Sequence, residues 1–207
     1  MIRKYNVLLI GDGGNGKSTF ILQFITNSFL EMYDPTIEDS YVYNFKNHGN
    51  ETEYQIHYLD TAGQYEYLEM FPQYYKNVDW CLIFIDLTQS CWYDTLDFRY
   101  KQMIELSIYK EKQPFSIVFT KLDRKWDYVI SDKQLLKVLK EWKFPFYFVD
   151  NHSRNDTEKI MFSFNLYCME QMKRNKLLSI QEMKGEIEPK YSSIENIKKK
   201  EKTCFLN

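Results

Sequence analysis

Strand-like apolar runs and amphipathic stretches alternate along most of the chain. Tyr5 to Ile10 reads as a first strand. Cys81 to Asp86, Phe115 to Phe119 and Phe146 to Val149 are short apolar runs of the kind that forms strands buried on both faces. Ser40 to Phe45 and Tyr54 to Leu59 read as two more strands, and Asn47-His48-Gly49-Asn50 between them supplies the turn residues of a hairpin. Helical stretches fall between the runs, at about Lys17 to Thr26, Tyr93 to Tyr109, Asp132 to Trp142 and Thr157 to Lys176. Strands alternating with helices at this spacing predict an α/β fold. It is a mostly parallel six-stranded sheet with one antiparallel strand and helices on both faces. Beyond about Leu178 the periodicity fades. Residues 184–207 are rich in Lys and Glu and include Gly185 and Pro189, so they read as a flexible tail. The expected division is a domain over 1–178 and a tail over 179–207.

Composition narrows the class without naming a function. With 207 residues there is room for one ordinary domain and a tail. A hydrophobic share of 44% and a charged share of 27% exclude a disordered or fibrous chain. The net charge of -2 gives no reason to expect a nucleic-acid partner. Cys81, Cys91, Cys168 and Cys204 share no close spacing, so neither a zinc site nor a disulfide framework is indicated. The run Trp80 to Ile85 is too short to cross a bilayer, and the N-terminus lacks the pattern of a signal peptide. The expected place is the cytosol, unless something attaches the chain to a membrane.

The first specific chemistry follows the first strand. Gly11-Asp12-Gly13-Gly14-Asn15-Gly16-Lys17-Ser18, with Thr19 next, matches G-x-x-x-x-G-K-[ST] and opens a helix. Glycines let the backbone wrap closely, so that its N–H groups and the helix N-terminus face phosphate oxygens. Lys17 can then reach the β- and γ-phosphates, and the Ser18 hydroxyl can ligate Mg²⁺.

A phosphate loop alone also suits a small-molecule kinase or an ATPase. Two further segments separate these classes. Asp60-Thr61-Ala62-Gly63-Gln64 follows a strand, and Tyr33-Asp34-Pro35-Thr36-Ile37-Glu38-Asp39-Ser40-Tyr41 lies between the first helix and the second strand. With these the sequence resembles the Ras superfamily of small GTPases, over about residues 3–172, and the second segment resembles the effector loop of the Ras subfamily. The resemblance implies a phosphate-loop G domain that binds GTP or GDP with Mg²⁺. It implies that Thr36 ligates Mg²⁺ and senses the γ-phosphate, that Asp60 holds the metal through water, and that the Gly63 N–H contacts the γ-phosphate. Phe29 packs edgewise on the base, Tyr33 closes over the phosphates, and Gln64 orients the attacking water. Gly13 stands where efficient hydrolysis needs a residue without a side chain. The catalytic set is therefore Gln64, Lys17 and Thr36. Hydrolysis is expected to be slow, since no arginine lies in these segments, and an activating protein would contribute about 10³–10⁵-fold.

Guanine recognition falls on Thr120-Lys121-Leu122-Asp123, where the family uses Asn-Lys-x-Asp. Asp123 can accept from N1 and the exocyclic amine of guanine, a charge-assisted pair that adenine cannot offer. The stem of Lys121 can lie along the base. Thr120 offers one hydroxyl in place of a carboxamide, as in Rac-like members. The family's Ser-Ala-Lys aligns with Asp150-Asn151-His152, where the Asn151 backbone N–H can reach the guanine O6. Asp150 and His152 depart from the pattern. A loosened pocket with faster release is expected from them, with His152 a solvated side chain.

The chain ends Cys204-Phe205-Leu206-Asn207 after Lys198-Lys199-Lys200-Glu201-Lys202, which has the C-a-a-X form with a polybasic flank. A prenyl group on Cys204 plus that flank would give the two signals that membrane attachment needs, with Asn207 outside the usual final residues. The resemblance thus implies a GTP/GDP switch on the cytoplasmic face of the plasma membrane, cytosolic if unprenylated. Its partners would be an exchange factor, a GTPase-activating protein and Ras-binding effector domains, the last docking on Tyr33, Pro35, Ile37, Glu38, Asp39, Ser40 and Tyr41. A nucleotide-bound scaffold that does not cycle is the alternative, motivated by the altered base segments.

Overall fold

The computed structural model describes residues 2–29, 36–46, 53–63, 78–106, 115–129, 131–142 and 145–174. In chain order the elements are β1 (Ile2–Ile10), α1 (Lys17–Thr26), β2 (Glu38–Lys46), β3 (Glu53–Thr61), β4 (Trp80–Asp86), α2 (Trp92–Leu106), β5 (Phe115–Thr120), a 3₁₀ turn (Leu122–Asp127), α3 (Asp132–Trp142), β6 (Phe146–Phe148) and α4 (Arg154–Arg174). The strands form one sheet in the order β2-β3-β1-β4-β5-β6. Among the described residues only β2 and β3 pair antiparallel; the other neighbours are parallel. This is the α/β sheet that the alternation predicted.

The core lies where the continuous apolar runs meet. All seven residues of β4 are buried, and Val7 to Ile10 beside them are at most 1% exposed. Each such aliphatic or aromatic side chain contributes about 1.5–3 kcal/mol on burial, so the centre of the sheet carries most of the stability. Alternate residues of β4 point to opposite faces. On one face Phe84 packs edge-on against Phe20 of α1 at 5.2 Å, and Trp80 against Phe164 of α4 at 5.2 Å. On the other, Cys81 lies close enough to Arg99 of α2 to feel its charge, and Phe115, its register partner, packs on Tyr100 at 5.9 Å.

Two elements start three residues earlier than the apolar pattern. The first strand begins at Ile2 rather than Tyr5, because the parallel ladder from Ile2↔Glu53 to Lys4↔Gln55 holds polar residues in extended form. The last helix begins at Arg154 rather than Thr157. Ser153 caps it, its hydroxyl accepting from the Asp156 N–H at 3.3 Å and its carbonyl from the Thr157 N–H at 3.3 Å. The chain divides into two compact units, residues 1–164 and 165–207, and the first contains every strand. The hairpin turn at 47–50 and the tail of 179–207 fall outside the described residues. Among the described residues no helix is long and apolar enough to cross a membrane.

Candidate nucleotide-binding site

The phosphate loop sits between the C-terminal end of β1 and the first turn of α1. Its backbone can take that path because Gly11, Gly14 and Gly16 hold positive φ, at 148°, 80° and 83°. Gly11 also has no room for a side chain, since a Cβ there would stand 2.5 Å from the Phe84 carbonyl oxygen. Asn15 fixes the loop to the sheet, its carboxamide donating to that same carbonyl at 2.9 Å. The ammonium of Lys17 is drawn back over the loop and donates to the carbonyls of Gly11 at 3.0 Å and Asp12 at 3.2 Å. Burial lowers the Lys17 pKa to about 8, against the raising influence of Asp60. A lysine held this way still has an N–H for an incoming anion.

Facing Lys17 is a set of hard oxygen donors. The hydroxyls of Ser18 and Thr36 meet at 3.0 Å, so residue 36 is brought to the start of α1. The Asp60 carboxylate is fully buried at the end of β3, and neither of its oxygens has a hydrogen-bond partner among the described residues. Burial pushes its pKa up to about 6, offset in part by the nearby Ser18 hydroxyl and the Lys17 charge. An orphaned buried carboxylate beside two hydroxyls suits a hard divalent cation such as Mg²⁺. Thr61 holds β3 in place by donating to the Leu9 carbonyl at 2.8 Å, and the Ala62 N–H donates to the Ile37 carbonyl at 2.9 Å. Gly63 then lies directly on the phosphate loop, where a Cβ would stand 2.1 Å from the Gly13 nitrogen.

At the carboxyl end of β5 the base segments form a second half of the site. Thr120 is fully buried and donates its hydroxyl to the Ile85 carbonyl at 3.3 Å. Lys121 takes a left-handed conformation at φ 63°, which turns the chain into the 3₁₀ segment and leaves Asp123 partly exposed. Asn151 does more than offer its N–H: its carboxamide donates to the Gly16 carbonyl at 3.0 Å and ties this loop to the phosphate loop. His152 is exposed, as expected, and also meets a ring. Its ring stacks on Phe29 at 3.7 Å with an interplanar angle of 18°, and its Nε2 lies 3.9 Å from an Asp123 oxygen. Asp150 accepts from the His152 N–H at 2.8 Å. The altered loop is thus joined to the phosphate loop through Asn151 and to Phe29 through His152.

The structure thus brings together the 11–18 loop, Thr36, Asp60 and Gly63, and sets Thr120, Lys121, Asp123, Asn151 and Phe29 around a second centre. Thr19 follows on the first turn of α1. Tyr33, Pro35, Gln64 and Cys204 lie outside the described residues. Sequence reasoning missed the carboxamide of Asn151, the ring of His152, and a link from Asp12 to α2 described below.

Such a loop at the carboxyl end of a central parallel strand, with a lysine and hard donors around it, defines a nucleoside-triphosphate-binding protein of the phosphate-loop class. The Ras family model matches residues 6–169, and the chain belongs to the Ras family. It is a small GTPase, which binds and hydrolyses GTP. It is similar to the Ras-related protein O-RAL of Diplobatis ommata, with 28% identity over 203 residues, 98% of this chain and 93% of that one. It is also 35% identical over 145 residues, 70% of its length, to Ras-like protein 1 of Saccharomyces cerevisiae. Of that yeast protein it spans 46%.

Proposed function

We propose that the chain is a GTP/GDP switch that holds nucleotide with Mg²⁺, hydrolyses GTP slowly without help, and signals to effectors from the cytoplasmic face of the plasma membrane. One observation carries this reading: the Thr36 hydroxyl at 3.0 Å from that of Ser18, beside the orphaned Asp60 carboxylate. It joins the segment before β2 to the phosphate loop at the point where a terminal phosphate would lie. Lys17 donates to the phosphate oxygens, and the N–H groups of the 11–18 loop and of Gly63 surround them. Ser18 and Thr36 would ligate Mg²⁺, with Asp60 reaching it through water. Bound Mg²⁺ supplies positive charge to the β- and γ-phosphate oxygens. Gln64 orients the attacking water, a neutral task suited to a loose transition state that needs positioning more than a strong base. Asp123 reads the guanine edge and the Asn151 N–H its O6. Loss of the γ-phosphate removes the reason for Thr36 and Gly63 to stay, and both segments let go.

Partner recognition follows from the same segments. Ile37, just before β2, and Glu38, Asp39 and Ser40 on β2, the edge strand of the sheet, are exposed, with Tyr41 half-buried behind them. Such an edge is open to an added strand from an effector domain. An exchange factor and a GTPase-activating protein would drive the two halves of the cycle. A nucleotide-bound scaffold that does not cycle is the second reading, motivated by Thr120 and Asp150-Asn151-His152 in the base segments.

Full-length protein loaded with γ-labelled GTP should release phosphate slowly, and Gln64→Leu should slow that release by at least about tenfold. Equal rates for the two proteins would remove Gln64 from the mechanism. Retention of Mg²⁺ should depend on pH with a definite sign. The raised pKa of Asp60 means that nucleotide-free protein takes up a proton as pH falls through about 6, whereas a metal needs the carboxylate. Mg²⁺ affinity should be flat above that pH and fall by roughly tenfold for each unit below it. A titration between pH 5 and 7.5 with no such break rejects the role of Asp60. At the far end of the chain, Cys204→Ser should move the protein from the membrane fraction to the soluble one; unchanged partitioning would sink the prenylation reading.

A further inference from the structure

Asp12 sets a carboxylate within the loop that is to receive phosphates, and by itself that charge opposes anion binding. Its two oxygens are both engaged from α2. Arg99 Nη2 donates to Oδ1 at 2.8 Å, and Thr95 Oγ1 donates to Oδ2 at 2.8 Å. Thr95 and Arg99 are four residues apart, hence on one face of the helix, and both are buried, Arg99 completely. The guanidinium is steadied along the helix by Gln102, whose Oε1 accepts from Nη1 at 3.3 Å. Around the ammonium of Lys17 the charges of Asp60, Arg99 and Asp12 are all close enough to act on it. Two positive and two negative groups make that cluster formally neutral. Without Arg99 it would carry one net negative charge, presented to a polyanionic ligand.

We propose that Arg99, with Thr95, is a positioning residue for the phosphate loop: it turns the Asp12 carboxylate toward α2, cancels its charge, and leaves the loop's N–H groups to the nucleotide. This rests on the reading of the 11–18 loop as the nucleotide site. An arginine on α2 thereby sets nucleotide retention without touching the nucleotide. A buried pair broken on one side leaves an uncompensated charge, whereas removal of both partners leaves none. That asymmetry gives the test its power.

The dissociation of fluorescently labelled GDP in Mg²⁺ buffer is measured on the full chain for wild type, Thr95→Val, Arg99→Met and the double variant Asp12→Ala/Arg99→Met. Arg99→Met should release GDP about 30-fold faster, and Thr95→Val about threefold faster. The double variant should release GDP at least about tenfold more slowly than Arg99→Met and no faster than Thr95→Val, because no charge is left unpaired. A merely structural pair predicts loss and rescue of thermal stability, with GDP release from the folded fraction of every variant as in wild type. Should Arg99→Met fail to fold, the decision passes to Thr95→Val and the double variant: faster release than wild type in the first, with release in the second no faster than that, supports the proposal. Wild-type release rates in Thr95→Val, or a double variant no better than Arg99→Met, overturn it while leaving the switch intact. A wild-type chain that retains no guanine nucleotide overturns both.

Discussion

Lys17→Met should lower the affinity for GDP and GTP by roughly a thousand-fold, as read by titration with a fluorescent nucleotide. The side chain is 5% exposed and its ammonium already sits over the loop, on the carbonyls of Gly11 and Asp12. Little reorganisation is then needed when a phosphate arrives. Truncating one partner of a buried, hydrogen-bonded charge pair costs about 3–5 kcal/mol, and each 1.4 kcal/mol is a decade of affinity. Methionine keeps the apolar stem and removes only the charge. The lowered pKa adds a signature in pH. Burial holds the free protein's Lys17 at about 8 instead of 10.5, so the folded state binds fewer protons than the unfolded chain between those values. This group therefore favours unfolding below about 8, and that burden is relieved as pH rises toward 10.5. Nucleotide affinity runs the other way, falling above about 8 as the ammonium loses its proton. A Lys17→Met protein within tenfold of wild-type affinity would reject this placement of the charge.

Gly63→Ala should separate hydrolysis from binding. A Cβ at this position would stand 2.1 Å from the Gly13 nitrogen and 2.6 Å from its Cα, and these are backbone atoms that cannot swing aside. One of the two segments must shift by an ångström or so. A misplacement of that size can cost about a hundred-fold in rate. Single-turnover hydrolysis should fall by roughly that factor while GDP affinity changes less than about threefold, since the shift falls on the γ-phosphate side. The contrast is Gly14→Ala. No atom lies within 4 Å of a Cβ there, and only the positive φ of 80° resists it, at about 1–2 kcal/mol of stability. Hydrolysis in Gly63→Ala equal to wild type would mean that the close approach is not part of the working state.

Much of this site was legible before any coordinates, for a physical reason. The 11–18 loop, Asp60 to Gly63 and the 120–123 segment are each contiguous, so the backbone itself delivers the chemistry and a linear pattern records it. The parallel core was legible because β4 is apolar from Trp80 to Ile85, as suits a strand covered on both faces. What stayed hidden depends on contacts across the fold. Thr95 and Arg99 stand 83 and 87 positions from Asp12, and on the page they are two polar residues of an amphipathic helix. One clue was available: an acid in a phosphate loop needs a counter-charge. The carboxamide of Asn151 meets Gly16 across 135 residues, and no local pattern marks it. The 3₁₀ turn at Leu122–Asp127 went unread because a single polar turn has no hydrophobic period to display.

The bond from the Ala62 N–H to the Ile37 carbonyl extends the β2–β3 ladder just past its last register pair, Glu38↔Thr61. Thr36 and Gly63 are thus one step beyond a common yoke. Neither can swing far while that bond stands, so a tug on one is transmitted to its counterpart. A protein clasping Ile37 to Ser40 along the outer edge would brace the yoke from outside. In doing so it would slow the reset of the very clock whose setting it reads.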